Sequence, residues 1–371
     1  MPPIDLVDTQ DHLASDRRPA AQRSMLEAAP SHRGGGRGGW SVAPALRSGS
    51  AAAAVVRPVL IGAAAVGALA AHAWLETWRV ERQNPPEGRF LDVDGVRLHY
   101  VERGAVDAPP VVLIHGAMMA VQDWDLSILG RLAANHRVIA FDRPGYGWSS
   151  RPKDRRWTMM AHAELLLDAC RRLGLKKPLV VGHSWGAGVA AAMAIRGPEA
   201  VRGVVLLSGY YYPTPRPDFA LQALPAIPGL GAVLRHTTSP LTMRLAEPIQ
   251  IKWMFAPNPV PSYFWERFPI GFMHRPKQLL AEGDDFKLIG ESAAELAPHY
   301  RKVAVPVVIM HGESDKVVDP HRHAFRLHRE IPHSAVYIVP RTGHMIQHVR
   351  PTEVVEGIDV AWEQSGPGAA A

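Results

Sequence analysis

The chain has 371 residues, 41 lysines and arginines against 35 aspartates and glutamates, and a net charge of +6. Its single cysteine excludes an intramolecular disulfide framework, and no interleaving of basic and aromatic residues marks a nucleic-acid surface. The basic balance suits an anionic lipid surface, and the length accommodates one domain of about 275 residues with an insertion and an amino-terminal extension.

In chain order, residues 1–57 are rich in arginine and glycine (Gly34-Gly35-Gly36-Arg37-Gly38-Gly39) and poor in large apolar side chains, which predicts disorder. Pro58 to Leu75 then runs without a charge. As a helix it spans about 27 Å, close to the ~30 Å hydrocarbon core of a bilayer. Trp74, Trp78, Arg79 and Arg82 follow as an interfacial anchor. We read 58–75 as a single-pass transmembrane helix and 76–88 as a linker. A cleaved signal peptide, with Ala71-His72-Ala73 as its small-x-small site, and a peripheral helix stay open. The flanking charges barely differ, and an apolar stretch ahead of a soluble domain acts as an export signal. That places the folded domain on the extracytoplasmic side.

Phe90–Val93, the Asp94-Gly95 turn and Val96–Val101 predict a hairpin. Buried runs follow at 111–114, 138–141, 179–181, 204–207, 307–310 and 335–339, alternating with helical patterns such as Met159–Leu173 with Thr158 as N-cap. This alternation predicts an α/β fold, a mostly parallel sheet covered on both faces. Cys170 falls in the predicted helix and reads as a buried structural thiol. Asp142 to Ser150 lies on the carboxyl rim, where ligands bind; a structural turn is the preferred reading. Between Ser208 and about Arg301 the alternation breaks into a proline-, aromatic- and methionine-rich stretch too long for a plain loop. Its composition suits the lining of an apolar pocket.

Gly182-His183-Ser184-Trp185-Gly186 lies between the run 179–181 and a small-residue helix. A Gly-x-Ser-x-Gly in that position predicts a strained strand-to-helix turn that exposes a nucleophilic Ser184. A serine hydroxyl needs a base and a group to orient it, and in this arrangement acid and histidine follow on later strands. His311-Gly312-Glu313-Ser314-Asp315 follows one strand and Gly343-His344 another. We assign Asp315 as the orienting carboxylate, with Asp319 and Glu313 as competitors; Asp319 reads better as the N-cap of a helix 320–330. We assign His344 as the base, with His348 as competitor, and His183 as a packing residue beneath the turn. The oxyanion donors predicted are the amides of Trp185 and Ala117, with Met118 as second choice for the latter. His321-x-His323 has no accompanying acidic or cysteine cluster and reads as a solvated helix face, so no metal is expected.

His115-Gly116, Trp124, Asp142-Arg143-Pro144-Gly145-Tyr146-Gly147-Trp148-Ser149, Gly182 to Gly186, Gly312 to Asp315 and Gly343-His344 together resemble the α/β-hydrolase superfamily. The resemblance runs from about Arg89 to Glu363 and is to the branch containing esterases, epoxide hydrolases, haloalkane dehalogenases, carbon–carbon bond hydrolases and cofactor-free haloperoxidases. It implies a core of 89–208 and 302–364 and a helical cap at 209–301; residues 365–371 beyond it are expected to form a disordered tail. Dehalogenases and epoxide hydrolases carry aspartate where this chain has Ser184, so those activities are not expected. The resemblance implies a serine hydrolase, without cofactor, acting on carboxylic esters of small or lipid-like apolar molecules. Carbon–carbon bond hydrolysis and perhydrolysis stay open as alternatives. A non-catalytic membrane-bound binding protein is the reading from another class, and the intact Ser, Asp, His and His-Gly set argues against it.

Overall fold

The computed structural model describes residues 48–366. Its one sheet contains β1 (Arg89–Val93), β2 (Val96–Arg103), β3 (Pro110–Ile114), β4 (Arg137–Phe141), β5 (Leu179–His183), β6 (Gly203–Leu207), β7 (Val307–Gly312) and β8 (Ala335–Val339). The spatial order is β1-β2-β4-β3-β5-β6-β7-β8. β1 and β2 form the predicted hairpin, and Asp94 and Gly95 both take positive φ, the two-residue turn whose twist matches that of the strands. β2 pairs antiparallel with β4, and every pair from β4 to β8 is parallel.

Alternate side chains feed two cores. Val112, Ile114, Val180, Val204 and Ile309 pack with the helices Met159–Arg172 and Trp185–Arg196; Val111, Leu113, Val181, Val205 and Val308 pack on the other face with Trp124, Leu132, Ile346 and Ile358. Both faces are covered, which is why these strands read as unbroken apolar runs. Thr158 Oγ1 accepts from Ala161 N at 3.2 Å and caps its helix as predicted. Cys170 is buried there, and burial pushes its thiol up to about 12.

Between β6 and β7 the chain forms an insertion of helices, Pro217–Gln222, Leu230–His236, Thr238–Phe255, Ser262–Arg267 and Pro276–Leu296. Phe255, Phe264, Phe268 and Met273 of this insertion join Met118, Met119 and Met345 in a third apolar cluster. The insertion therefore rests on the loops that follow β3 and β8, where the site lies.

Three boundaries differ from expectation. The amino-terminal helix is Ser48–Gln83, so residues 48–57, expected to be disordered, are helical, as are 76–83 of the expected linker. Alanines before the apolar span and strong helix formers after it extend the same helix in both directions. From Ala54 to Gln83 it is long and apolar enough to cross a membrane. The helix expected at 320–330 begins at Ala324. His323 sits at the N-cap of that helix, its Nδ1 accepts from Tyr211 N at 3.0 Å, and it is buried, not part of a solvated face. The disorder expected for residues 1–47 and 367–371 concerns chain outside the described residues, whereas Ser365, expected to begin the disordered tail, caps the last helix and accepts from Arg202 Nε at 2.7 Å.

Candidate active site

The turn between β5 and its helix is built by what the glycines leave out. A side chain on Gly182 would meet the Gly186 carbonyl, and one on Gly186 would meet the Ile114 carbonyl. The strand and helix therefore close on each other, and Ser184 is driven to φ 54°, ψ −116°. For a residue with a side chain this is strained backbone, held here by Ser184 N donating to Leu207 O at 2.8 Å.

His344 and Asp315 arrive from the loops after β8 and β7. His344 Nδ1 lies 2.8 Å from Asp315 Oδ2, with the carboxylate fully enclosed. Asp315 Oδ1 accepts from the amides of Val317 and Val318, at 2.8 and 2.9 Å, and His311 Nε2 lies 3.1 Å from Oδ2. Burial pushes the Asp315 pKa up, but His344 and the hydrogen bonds from His311 and His344 outweigh it and hold the group well below the usual carboxylate range. An ionised Asp315 fixes the proton of His344 on Nδ1 and leaves Nε2 as the basic nitrogen.

Ser184 and His344 line one cavity of about 100 Å³, together with Ala117 and Trp185. Met118, Met119, Phe219, Trp253, Met254 and Phe286 make the remaining wall largely apolar. His183 also reaches it. Its Nε2 lies 3.0 Å from the His344 carbonyl, and burial, then His344, push its pKa down to about 3. The ring is neutral and donates from Nε2, tying the strand before Ser184 to the loop that bears His344.

The loop after β3 is held by Arg143, a residue singled out in the sequence only as part of a turn. Its guanidinium is fully buried and donates to His115 O at 3.0 Å, Gly116 O at 3.1 Å and Asp285 Oδ2 at 2.6 Å. Carbonyl and N–H of a trans peptide point in opposite directions. Drawing the Gly116 carbonyl toward Arg143 thus turns the Ala117 N–H away from it. The Asp142 to Ser150 segment is a tie: Asp142 accepts from Val121 N at 2.8 Å, Trp148 N at 2.9 Å and His99 Nδ1 at 2.7 Å.

The competing residues lie elsewhere. Asp319 is exposed and accepts from Arg322 N at 2.9 Å. Glu313 accepts from Arg341 N at 2.9 Å. His348 is committed to Asp123, with Nε2 2.8 Å from Oδ1. Among the buried charged residues not foreseen are Asp123, Asp285 and Arg275. A single sequence carries no signal for them, because each is buried by a partner more than a hundred residues away.

Residues 109–351 match the family described as the alpha/beta hydrolase fold. The chain is 29% identical over 285 residues to 2-hydroxymuconate semialdehyde hydrolase of a Pseudomonas species, covering 71% of this chain and 90% of that one. It is 27% identical over 266 residues to an uncharacterised carboxylesterase of Bacillus subtilis, covering 70% and 81%. The crystal structure of a membrane phospholipase A superposes with a TM-score of 0.58 at 21% identity, over 85% of this chain and 99% of that one.

Proposed function

The chain belongs to the α/β-hydrolase family and is a hydrolytic enzyme of it; from that premise we propose that it is a membrane-anchored serine hydrolase of carboxylic esters. Ser184 Oγ attacks the acyl carbon while His344 Nε2 takes its proton, and Asp315 holds the imidazolium that results. The amides of Ala117 and Trp185 receive the developing oxyanion. His344 returns the proton to the leaving alkoxide, the acyl-serine ester remains, and water activated by His344 releases the acid. No cofactor enters these steps.

One observation carries the reading: a serine in strained left-handed backbone shares a cavity with a histidine whose other ring nitrogen is committed to a buried carboxylate. The apolar wall, supplied by the insertion acting as a cap together with Met118 and Met119, favours small or lipid-like acyl groups. Residues 58–75 serve as the anchor, and the catalytic domain lies on the extracytoplasmic side. Labelling by a fluorophosphonate probe, lost on Ser184→Ala, tests the nucleophile. A series of p-nitrophenyl esters of increasing chain length tests the substrate class.

The relatedness to 2-hydroxymuconate semialdehyde hydrolase favours a second reading, cleavage of a carbon–carbon bond by the same residues. Turnover of 2-hydroxymuconate semialdehyde with no turnover of simple esters would replace the first reading by the second.

A further inference from the structure

The amino-terminal helix does not stop at the end of its apolar span. Its last turns lie on the insertion. Glu76 Oε2 is 3.2 Å from Arg244 Nη1, and Val80 packs on the backbone of Gly271, where any larger side chain would collide with it. At the next position, Glu81 Oε1 is 3.0 Å from Arg275 Nη1. The two ion pairs differ in kind. Arg244 is largely exposed, whereas the Arg275 side chain is fully buried. Among the described residues Glu81 is the only carboxylate in salt-bridge reach of Arg275. A buried guanidinium stripped of its one counter-charge is costly, so this helix completes the electrostatics of the insertion.

From Arg275 the contacts continue inward. Arg275 Nη2 donates to Gly147 O at 2.7 Å and to Gln278 Oε1 at 3.1 Å. Gln278 is fully buried, and its Nε2 donates to Met118 O at 3.2 Å. Met118 adjoins Ala117 and has φ 66°, a left-handed conformation that a residue with a side chain holds only when its surroundings impose it. Gln278 supplies one such constraint, Arg275 orients Gln278, and Glu81 holds Arg275. We propose that Glu81, on the anchor helix, is a positioning residue that sets the loop carrying the Ala117 amide through Arg275, Gln278 and the Met118 carbonyl. The proposal rests on the serine-hydrolase reading above, in which that amide receives the oxyanion. It makes the membrane-proximal turn part of the catalytic apparatus and not a passive tether.

The test uses the full chain in detergent with p-nitrophenyl butyrate, comparing Glu81→Gln, Glu81→Asp and, on the same helix, Glu76→Gln. Glu81→Gln is expected to lower kcat and the fluorophosphonate labelling rate about tenfold to a hundredfold, the scale of a small misplacement in a catalytic group, with KM unchanged. Glu81→Asp, which keeps the charge, recovers part of the rate, and Glu76→Gln behaves as wild type. Wild-type kcat in Glu81→Gln, or a change confined to KM, overturns the proposal. If Glu81→Gln does not fold, Gln278→Met decides, since it cuts the same path while leaving the Glu81–Arg275 pair in place. A fall in kcat there supports the proposal, wild-type kcat overturns it, and failure of both variants to fold assigns the path to stability alone and overturns it too. Absence of turnover and of labelling in the wild type would instead sink the serine-hydrolase reading.

Discussion

His348 Nε2 lies 2.8 Å from Asp123 Oδ1, with both side chains fully buried, four residues after His344 meets Asp315 through its Nδ1 at the same distance. The two pairs differ in the ring nitrogen they commit, Nδ1 in His344 and Nε2 in His348, and in their surroundings. His344 lines the cavity with Ser184, whereas His348 is enclosed by Phe255, Phe264 and Tyr263. Gln347 Nε2 also reaches Asp123, at 3.1 Å, so two consecutive residues clamp the loop that carries His344.

Substitution of the two histidines should therefore separate chemistry from stability. Ser184→Ala and His344→Ala are expected to lower kcat by several orders of magnitude with little change in unfolding free energy. His348→Leu leaves the Asp123 charge buried without its ring partner, which should cost about 3 kcal/mol or more, while the folded fraction stays active. Ester hydrolysis and urea denaturation on the same samples measure both. Near wild-type turnover in Ser184→Ala, or a dead but fully stable His348→Leu, would reverse the assignment.

The orienting acid is checked by a pair of asparagines. Asp315→Asn offers His344 an amide in place of a charge and favours the wrong tautomer, so the rate should fall by about 10³–10⁴-fold. Asp319→Asn touches only the turn amide at Arg322 and should cost about 1 kcal/mol or less, with activity retained. The opposite ranking in a hydrolysis assay would move the role to Asp319.

What the sequence made legible was whatever local pattern encodes. Six strands, β3 to β8, follow from apolar runs rich in valine, leucine and isoleucine, the β1–β2 hairpin from the Asp94-Gly95 turn between alternating segments, and the Ser184 turn from glycines at fixed spacing. Asp315 and His344 stand out because each follows such a run directly. Long-range charge compensation is a different matter. Arg143 finds Asp285 across 142 residues, Arg275 finds Glu81 across 194, and His348 finds Asp123 across 225. Nothing in the neighbourhood of any of these residues distinguishes it from a solvated surface charge. The helix end at Gln83 was missed for a related reason: the loss of apolarity after Leu75 marks where a membrane span ends, not where a helix ends.

Glu282 yields a pH dependence. It is buried on the helix Pro276–Leu296, its Oε2 has no hydrogen-bond partner among the described residues, and burial, with Asp285 nearby, raises its pKa from 4.5 to about 8. In the unfolded chain the group ionises near 4.5, but in the fold it stays protonated until about 8. Its contribution is fully present below 4.5 and is lost as pH rises toward 8, each pH unit in that window costing about 1.4 kcal/mol. Glu282→Gln keeps the neutral shape. Melting temperatures of the variant and wild type should coincide at pH 4 and diverge by pH 8, with the variant higher. Parallel curves across the range would show that Glu282 ionises freely in the fold.

The membrane reading of the amino-terminal helix is open to fractionation. A chain anchored through 58–75 should sediment with membranes and stay there in alkaline carbonate and in high salt. Attachment through the basic surface alone should be reversed by 1 M salt, where screening contracts to about 3 Å. Amino-terminal sequencing separates the anchor from a signal peptide, since cleavage after Ala73 leaves Trp74 first. Such a chain would lose the span yet keep Glu76, Val80 and Glu81, all of which touch the insertion. A chain beginning at Pro85 loses them. If the helix were only a tether, both shortened forms would hydrolyse small esters at the full rate. With Glu81 holding Arg275, the form beginning at Trp74 should retain the wild-type kcat and the form beginning at Pro85 should fall to that of Glu81→Gln, and equal rates in the two forms would leave the helix a tether and nothing more.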